Sequence, residues 1–310
     1  MSGFLYLCQM DEQSTKVTTK PRNGFIAFLL SLALPGLGQV YNGQPKKAAI
    51  FFGLLLFFPL LFGFTRGTTF FHGLLSLFVI QIVLRIYIII DGAINANRQK
   101  EYVLKSYNTW YYHLLIAVGM LVILMVYDIG KVLGTQTFTI PTTSNSPTLQ
   151  VGDWLIADMR AYKSNEPDYG DIVVYSRPDG QIYTFRVVGL PNDNIELTDN
   201  IVRINGKPSK ATFIKKTMNN DVPVIEFEEE FPNGHKHLIY KQKQPYDSTK
   251  TNINNIIIPS DSYYLLGDNR DNAADSRYEG FIRKDRIKGR IIYSYWGQDT
   301  DRININFKNK

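Results

Sequence analysis

Cysteine is nearly absent from this chain of 310 residues: Cys8 stands alone, so no intrachain disulfide can form. The Leu5-Tyr6-Leu7 before it lacks the small residue of a lipid-attachment site, so Cys8 reads as a free thiol. Also missing is a compact run of Lys and Arg interleaved with aromatics. The excess charge of +6, with a pI near 9.1, therefore does not point to nucleic acid. Basic residues instead flank apolar stretches, as membrane topology demands. The N-terminal residues contain no short apolar core followed by a small-residue cleavage site, which excludes a cleaved signal sequence. After about residue 135 no long amphipathic helix is evident, and the helical periodicity gives way to alternation.

What is present divides unevenly. Residues before 135 hold nearly all the long apolar runs, and the mean hydropathy of −0.13 averages two unlike parts. Residues 1–24 are polar, with Lys16, Lys20 and Arg22, and read as a disordered cytoplasmic tail. Phe25–Leu34 is a short apolar run that ends in Pro35-Gly36-Leu37-Gly38, a helix-breaking sequence. Ala48–Phe64, Phe70–Ile90 and Leu114–Ile129 each approach the roughly 20 residues that a bilayer requires. Lys46 and Lys47 precede the first of these, and Arg98, Lys100 and Lys105 follow the second. Both sets prefer the cytoplasm, which makes the two runs a hairpin with its tip, near Thr65–Thr69, outside. The expectation over 25–134 is a membrane region of about three spans with one re-entrant or interfacial segment. Arg85, inside the second of these runs, is expected to snorkel to the surface.

From 135 to 310 the pattern is of short strands. Trp154–Ala157, Asp171–Tyr175, Ile182–Val188, Asn194–Leu197 and Ile201–Ile204 alternate or are β-branched. Later come Val222–Phe227, His237–Tyr240, Ile256–Ile258, Tyr263–Leu266 and Arg290–Tyr295. Pro178-Asp179-Gly180, Pro191-Asn192-Asp193 and Asn205-Gly206 supply turns. The fold class is an N-terminal α-helical membrane region followed by a mostly antiparallel β domain.

The chemistry concentrates after the last apolar run, in Ile140–Val151, which holds Ser144 ahead of Pro147. A serine needs a base to take its proton and donors for the oxyanion. Ser144 offers a nucleophile, and Thr142 offers a hydroxyl donor for that oxyanion.

Three stretches follow in order. Ser144-Asn145-Ser146-Pro147-Thr148-Leu149 leads to Val151-Gly152-Asp153. Gly170-Asp171-Ile172-Val173-Val174 precedes Arg186-Val187-Val188-Gly189-Leu190-Pro191. Gly267-Asp268-Asn269-Arg270-Asp271-Asn272-Ala273-Ala274-Asp275-Ser276-Arg277 comes last. Together they closely resemble the signature boxes of bacterial signal peptidase I, over about residues 137–297. That family consists of membrane-anchored serine endopeptidases with a β-rich extracytoplasmic domain, which cleave signal peptides after small residues by a Ser–Lys dyad. Pro35–Gln44 resembles the motif of small two-helix membrane modules (the TM2 type).

The resemblance implies an integral protein of the bacterial cytoplasmic (inner) membrane with residues 135–310 extracytoplasmic. It implies partners in preprotein signal peptides, membrane lipid and the export machinery, and neither cofactor nor metal. Ser144 matches the family's nucleophile, with Asn145 in place of the usual Met; Ser146 is out of register. Thr142 matches an oxyanion-hole hydroxyl. Arg186, Asp268, Arg270, Asp275 and Arg277 match residues that support the site by ion pairs. Two positions depart. The dyad lysine falls on Phe185, and the serine that bonds it falls on Ala273. Arg186 cannot replace the base, because a guanidinium does not deprotonate in proteins. Two readings result: removal of signal peptides with Ser144 and a base from elsewhere, or an inactive member that binds signal peptides or a partner protein.

Other groups read as surface. His235 and His237 form a His-x-His without a third metal ligand and read as a surface hairpin. Glu226, Glu228, Glu229 and Glu230 read as a solvated acidic patch. Lys215, Lys216, Lys241 and Lys243 are stand-in bases in principle, though no spacing brings them to Ser144.

Overall fold

Helix boundaries in the first part follow from capping and breaker chemistry. In the computed structural model, which describes residues 19–105, 108–245 and 247–308, α1 (Gly24–Ala33) begins at Asn23. The Asn23 carboxamide oxygen accepts from the amides of Phe25 (2.8 Å) and Ile26 (3.2 Å). Leu34, before Pro35, is extended, and Gly36 turns the chain at φ 100° into α2 (Leu37–Tyr41). The Asn23 amide donates to the Tyr41 hydroxyl (3.2 Å), so the start of α1 and the end of α2 lie together. α3 (Pro45–Phe64), α4 (Phe71–Arg98), α5 (Trp110–Val126) and α6 (Ile129–Leu133) follow. Among the described residues α3 and α4, of 20 and 28 residues, are long and apolar enough to cross a membrane; α1 and α5 are shorter apolar helices.

Two sequence expectations in this part meet a different local structure. Cys8 and Lys16 lie outside the described residues, but residues 19–22 of the expected tail are held by backbone hydrogen bonds. Thr19 bridges Val103, the Lys20 amide donates to the Tyr102 carbonyl (2.9 Å) and that of Arg22 to Gln99 (3.0 Å). α4 runs past Ile90 to Arg98, because Asp91 is held by Lys47 (2.6 Å) and by Asn95 (2.9 Å). Arg85 donates to the Leu32 carbonyl at the end of α1 (2.8 Å), so its head has a protein partner.

The strands are β1 (Thr135–Thr139), β2 (Trp154–Asp158), β3 (Ile172–Ser176), β4 (Ile182–Gly189), β5 (Asn194–Thr198), β6 (Ile201–Ile204) and β7 (Lys207–Pro208). They continue as β8 (Lys210–Asn219), β9 (Val222–Glu230), β10 (Lys236–Gln242), β11 (Ile253–Ile257), β12 (Ser262–Leu266), β13 (Ile282–Arg283) and β14 (Ile287–Trp296). A seven-stranded sheet has the order β1-β2-β14-β3-β4-β12-β13, beside a four-stranded sheet β11-β5-β6-β7 and a three-stranded sheet β10-β9-β8. Strand neighbours run antiparallel throughout. Tight hairpins fall where both central residues accept positive φ: Asn205-Gly206 (50°, 78°) and Asn220-Asp221 (46°, 62°). One short helix, α7 (Ser276–Glu279), interrupts the strands and is capped by Asp275.

The core next to the Ser144 loop joins Ile140, Leu149, Leu155, Ala157, Ile172, Val174, Ile291 and Phe307. Leu149 is fully buried, so the loop that carries Ser144 is nailed at its far end to β2, β3 and β14. The chain clusters into two compact units: the part up to Leu61 with Ser76–Ile129, and Phe62–Leu75 with Gly130–Lys310. The β-rich unit thus includes the connection between α3 and α4. There Arg66 pairs with Asp158, the Tyr293 hydroxyl donates to the Thr68 carbonyl (2.8 Å), and Phe71 meets the Tyr293 ring edge-on at 6.2 Å. Arg160 adds bonds to the carbonyls of Gly63 (3.0 Å) and Val132 (3.0 Å).

Leu149→Ala removes a buried side chain from a closed core. Urea unfolding of the variant is expected to show a loss of about 2–5 kcal/mol.

Candidate active site

Ser144 lies in a tight loop between β1 and β2. The Ser146 amide donates to the Thr143 carbonyl (3.0 Å), and the Leu149 amide to that of Asn145 (2.9 Å). The box at 267–277 grips the same loop. The Asn269 amide donates to the Ser144 carbonyl (3.1 Å), the Asn269 carboxamide to the Thr143 carbonyl (3.1 Å), and that of Asn272 to the Thr143 hydroxyl (2.8 Å). Asn145 is buried, and its carboxamide donates to the Thr184 carbonyl (2.7 Å), fastening the loop to β4. The Thr142 and Ser144 hydroxyls stand 3.4 Å apart.

Ser144 opens onto a groove of about 350 Å³. It is lined by Phe138–Thr142, at and after the end of β1, by Gln181–Phe185, at the start of β4, and by Asn145, Arg177 and Ala274. No Lys, His, Asp or Glu lines it among the described residues. Arg177 is itself engaged, with Glu279, with the Ala274 carbonyl (2.9 Å) and with the Tyr183 ring at 3.4 Å.

Phe185 and Ala273 sit beside Ser144. Gly267 locates the three together: a Cβ on it would lie 2.4 Å from the Ala273 Cβ, 2.5 Å from the Ser144 carbonyl oxygen and 3.2 Å from Phe185 Cε1. Phe185 is 3% exposed and packs with Val173, Tyr175, Val187, Leu265 and Ala273. Its ring faces Tyr175 at 6.2 Å between centroids. The two apolar positions belong to one hydrophobic cluster, in contact with the serine loop.

The five charged positions, with Glu229 as a sixth, form three buried pairs that tie the 267–277 box to its surroundings. Arg186 binds Asp268 through two bonds (2.8 and 2.7 Å) and spends another on the Gly170 carbonyl (2.8 Å). The Nη2 that binds Asp268 also reaches the Thr148 hydroxyl (3.3 Å), which carries the pairing back to the serine loop. Arg270 pairs with Glu229 and donates to the Asn200 carbonyl (2.8 Å). Arg277 binds Asp275 (2.8 Å) and the Asn200 carboxamide oxygen (2.9 Å), while Asp275 accepts the Gly267 amide (2.9 Å). Burial opposes the charge on Asp268, but the charge and hydrogen bonds of Arg186 prevail and hold its carboxyl below the ordinary range.

Two surface expectations are corrected here. Glu229 is completely buried and Glu226 is 6% exposed, so the acidic run is only partly solvated. Arg270, the Ser209 hydroxyl (2.6 Å) and His237 (3.2 Å) replace water around Glu229, and its carboxyl is held low despite burial, first by Arg270. His237 is buried, not part of a surface hairpin, and His235 approaches Arg186 at 3.3 Å. Burial and then the Arg186 charge lower both imidazoles, His235 to about 4. The strand alternation of β9 carried a signal for Glu226; a shift before Glu229 hid the second. The asparagines Asn145, Asn200, Asn269 and Asn272 carried none.

Of the stand-in lysines, Lys215 pairs with Glu226 (3.6 Å) and Lys241 with Asp199 (2.6 Å). None of the four lines the groove.

The buried charges set an acid limit. A histidine with its pKa lowered in the fold contributes stability above its ordinary 6.5, and that stability is lost as pH falls toward the folded value, about 4 for His235. Asp268 and Glu229, also lowered, keep their contribution down to the ordinary carboxylate range and lose it below. Thermal melting should therefore weaken in two stages, from about pH 6.5 to 4 and again below about pH 4. In His235→Gln the first stage should shrink; an unchanged profile would remove the imidazole from the account.

The model of the family described as signal peptidase, peptidase S26, matches residues 108–296. Signal peptidase I of Rickettsia rickettsii is 29% identical over 215 residues, covering 58% of this chain and 81% of the relative. Signal peptidase IB of Staphylococcus aureus is 29% identical over 194 residues, covering 63% and 93%. A crystal structure of a signal peptidase I from Enterococcus faecalis matches 41% of this chain and 97% of its own at 22% identity, with a TM-score of 0.24. With apolar N-terminal helices, an antiparallel β-rich unit and a family match over more than half its length, this chain belongs to the signal peptidase family S26.

Proposed function

We propose that this protein recognises the signal-peptide segment of exported preproteins in the groove beside Ser144, as a family member without the Ser–Lys dyad. One observation carries the reading: the residue at the dyad lysine's place, Phe185, is packed against Ala273 in an apolar cluster that touches the serine loop. Phenylalanine has no proton to exchange, and a positioned base alone is worth about 10²–10⁴-fold in rate. The family's relatives, by name, are signal peptidases, so the groove is assigned the same class of extended peptide. Arg186, Asp268, Arg270, Asp275 and Arg277 hold its walls in place, and their pairing does not require the base.

The second reading is cleavage by Ser144 as nucleophile, with Thr142 donating to the oxyanion. The hydroxyl pair at 3.4 Å favours it. It needs a base from outside the groove, such as one brought by a partner.

A precursor with an Ala-x-Ala site separates the two. Wild type and Ser144→Ala are expected to bind it alike and to cleave it equally little. Cleavage by wild type that Ser144→Ala abolishes would sink the first reading. Phe185→Lys with Ala273→Ser is expected to raise cleavage by about 10²-fold or more, since it restores a buried amine and its hydroxyl partner.

For the membrane we propose residues 1–24 in the cytoplasm, 25–134 within and along the cytoplasmic membrane of a bacterium, and 135–310 outside. Lys46, Lys47, Arg98 and Lys100 mark the cytoplasmic end of the helical hairpin. Its other end, Phe62–Leu75, belongs to the β-rich unit, which supports placing tip and β domain on one side. In a Cys8→Ser background, Thr65→Cys and Lys207→Cys should both react with an impermeant maleimide in intact spheroplasts. Lys100→Cys should react only after permeabilisation. Labelling of Lys207→Cys without Thr65→Cys would break the assignment.

A further inference from the structure

We infer that Arg22 is the centre of a binding site for the phosphate of an anionic phospholipid headgroup, at the end of the helical unit where α1 and α3 begin and α4 ends. The inference rests on α3 and α4 crossing a bilayer.

Arg22 is held in an unusual way for a cation. Its amide donates to the Gln99 carbonyl (3.0 Å), and its neighbour Lys20 pairs with Tyr102 (2.9 Å), so the segment is pinned along the chain after α4. Its guanidinium carbon lies 4.5 Å from the Tyr41 ring centroid and 4.1 Å from that of Tyr102. The residue is 9% exposed. Yet Nε and Nη2 are buried with no hydrogen-bond partner, and no carboxylate comes within ion-pair reach of Arg22 among the described residues.

A buried guanidinium needs a counter-charge, and aromatic faces supply only part of one. Two rings cover its faces, so an oxyanion meets it at the edge, where Nε and Nη2 are closed off in this structure and open to bind. A fork of N–H donors on a fixed plane is the geometry that takes two oxygens of a phosphate. The surroundings have the matching sign. Lys20, Lys46, Arg98, Lys100 and Lys105 are exposed at the same end, against Glu101 and an Asp91 that already holds Lys47 at 2.6 Å. Exposed lysines at this end follow from membrane topology alone. A buried, unpartnered guanidinium among them does not.

Lipid is the source the position favours. Just beyond Arg22, α1 exposes Phe25 (68%), Ile26 (43%) and Leu29 (45%), a surface on which an acyl chain can lie while its headgroup meets the guanidinium. A free phosphate would use the charge and leave that surface unused.

The test uses the full chain, purified from vesicles of phosphatidylcholine with phosphatidylglycerol and read by native mass spectrometry. Wild type is expected to retain phosphatidylglycerol, Arg22→Gln to retain it about tenfold less, and Lys100→Gln to change it little. Arg22→Lys, which keeps the charge but loses the fork, should fall between, and serves if the glutamine variant does not fold. Equal retention by wild type and both Arg22 variants overturns the site. Displacement of the lipid by millimolar inorganic phosphate assigns the site to free phosphate and overturns the lipid source. Alkaline extraction from pure phosphatidylcholine vesicles reports insertion separately: release there would sink the membrane-spanning reading, whereas retention with no headgroup preference would sink only this one.

Discussion

A guanidinium taken out of water must be met on every side, and Arg186 imposes that requirement on the whole β-rich unit. It stands on β4 at 1% exposure and answers to Asp268 in the last sequence box, to Gly170 in the second and to Thr148 in the first. One side chain thereby gathers three stretches that are far apart in the chain. Buried pairs of this kind add little net stability against an apolar replacement. Their effect is on specificity: few other registers of β4, the serine loop and the 267–277 box satisfy all these donors. The Arg270–Glu229 and Arg277–Asp275 pairs extend the same constraint outward, meeting at Asn200.

This frame is independent of proton transfer, so the proposed reading, with an apolar Phe185 in place of a base, is compatible with an intact groove. Phe185 follows the alternation of β4 into the hydrophobic cluster that Tyr175, Val187 and Leu265 already form. Ala273 supplies the small side chain that the ring and Gly267 leave room for. The two positions are complementary in volume and polarity. A lysine there would have to be kept neutral by burial, and a serine would have to hold it; phenylalanine and alanine need neither.

Much of this was legible in the sequence, because the deciding signals were local. Alternation gave β2, β4, β5, β6 and β12 nearly to the residue, and Asn205-Gly206 marked its hairpin by its need for positive φ. The three boxes placed Ser144, Phe185 and Ala273 in register, and the structure brings them to one point. What stayed hidden depends on partners distant in sequence. β8, with Lys210, Lys215 and Lys216, looks like a polar loop and is a strand because β9 pairs with it. Glu229 and His237 have solvent-loving side chains, and their burial depends on each other and on Arg270 and Ser209, from other stretches. Asn145 reads in the sequence only as a replacement for the usual Met; its bond to β4 is a tertiary fact.

The contact of Phe62–Leu75 with the sheet has a consequence for how this protein can be divided. Phe71 and Leu74 cover Ile156, Ile292 and Tyr293, and Arg66 meets the charge of Asp158. A fragment cut at the sequence boundary near residue 135 would carry a bare apolar face and an uncompensated carboxylate. The β-rich unit of this molecule is therefore not a contiguous stretch of chain. A secreted version would need the fourteen residues of the helical connection returned to it, grafted or supplied in trans, before it closed.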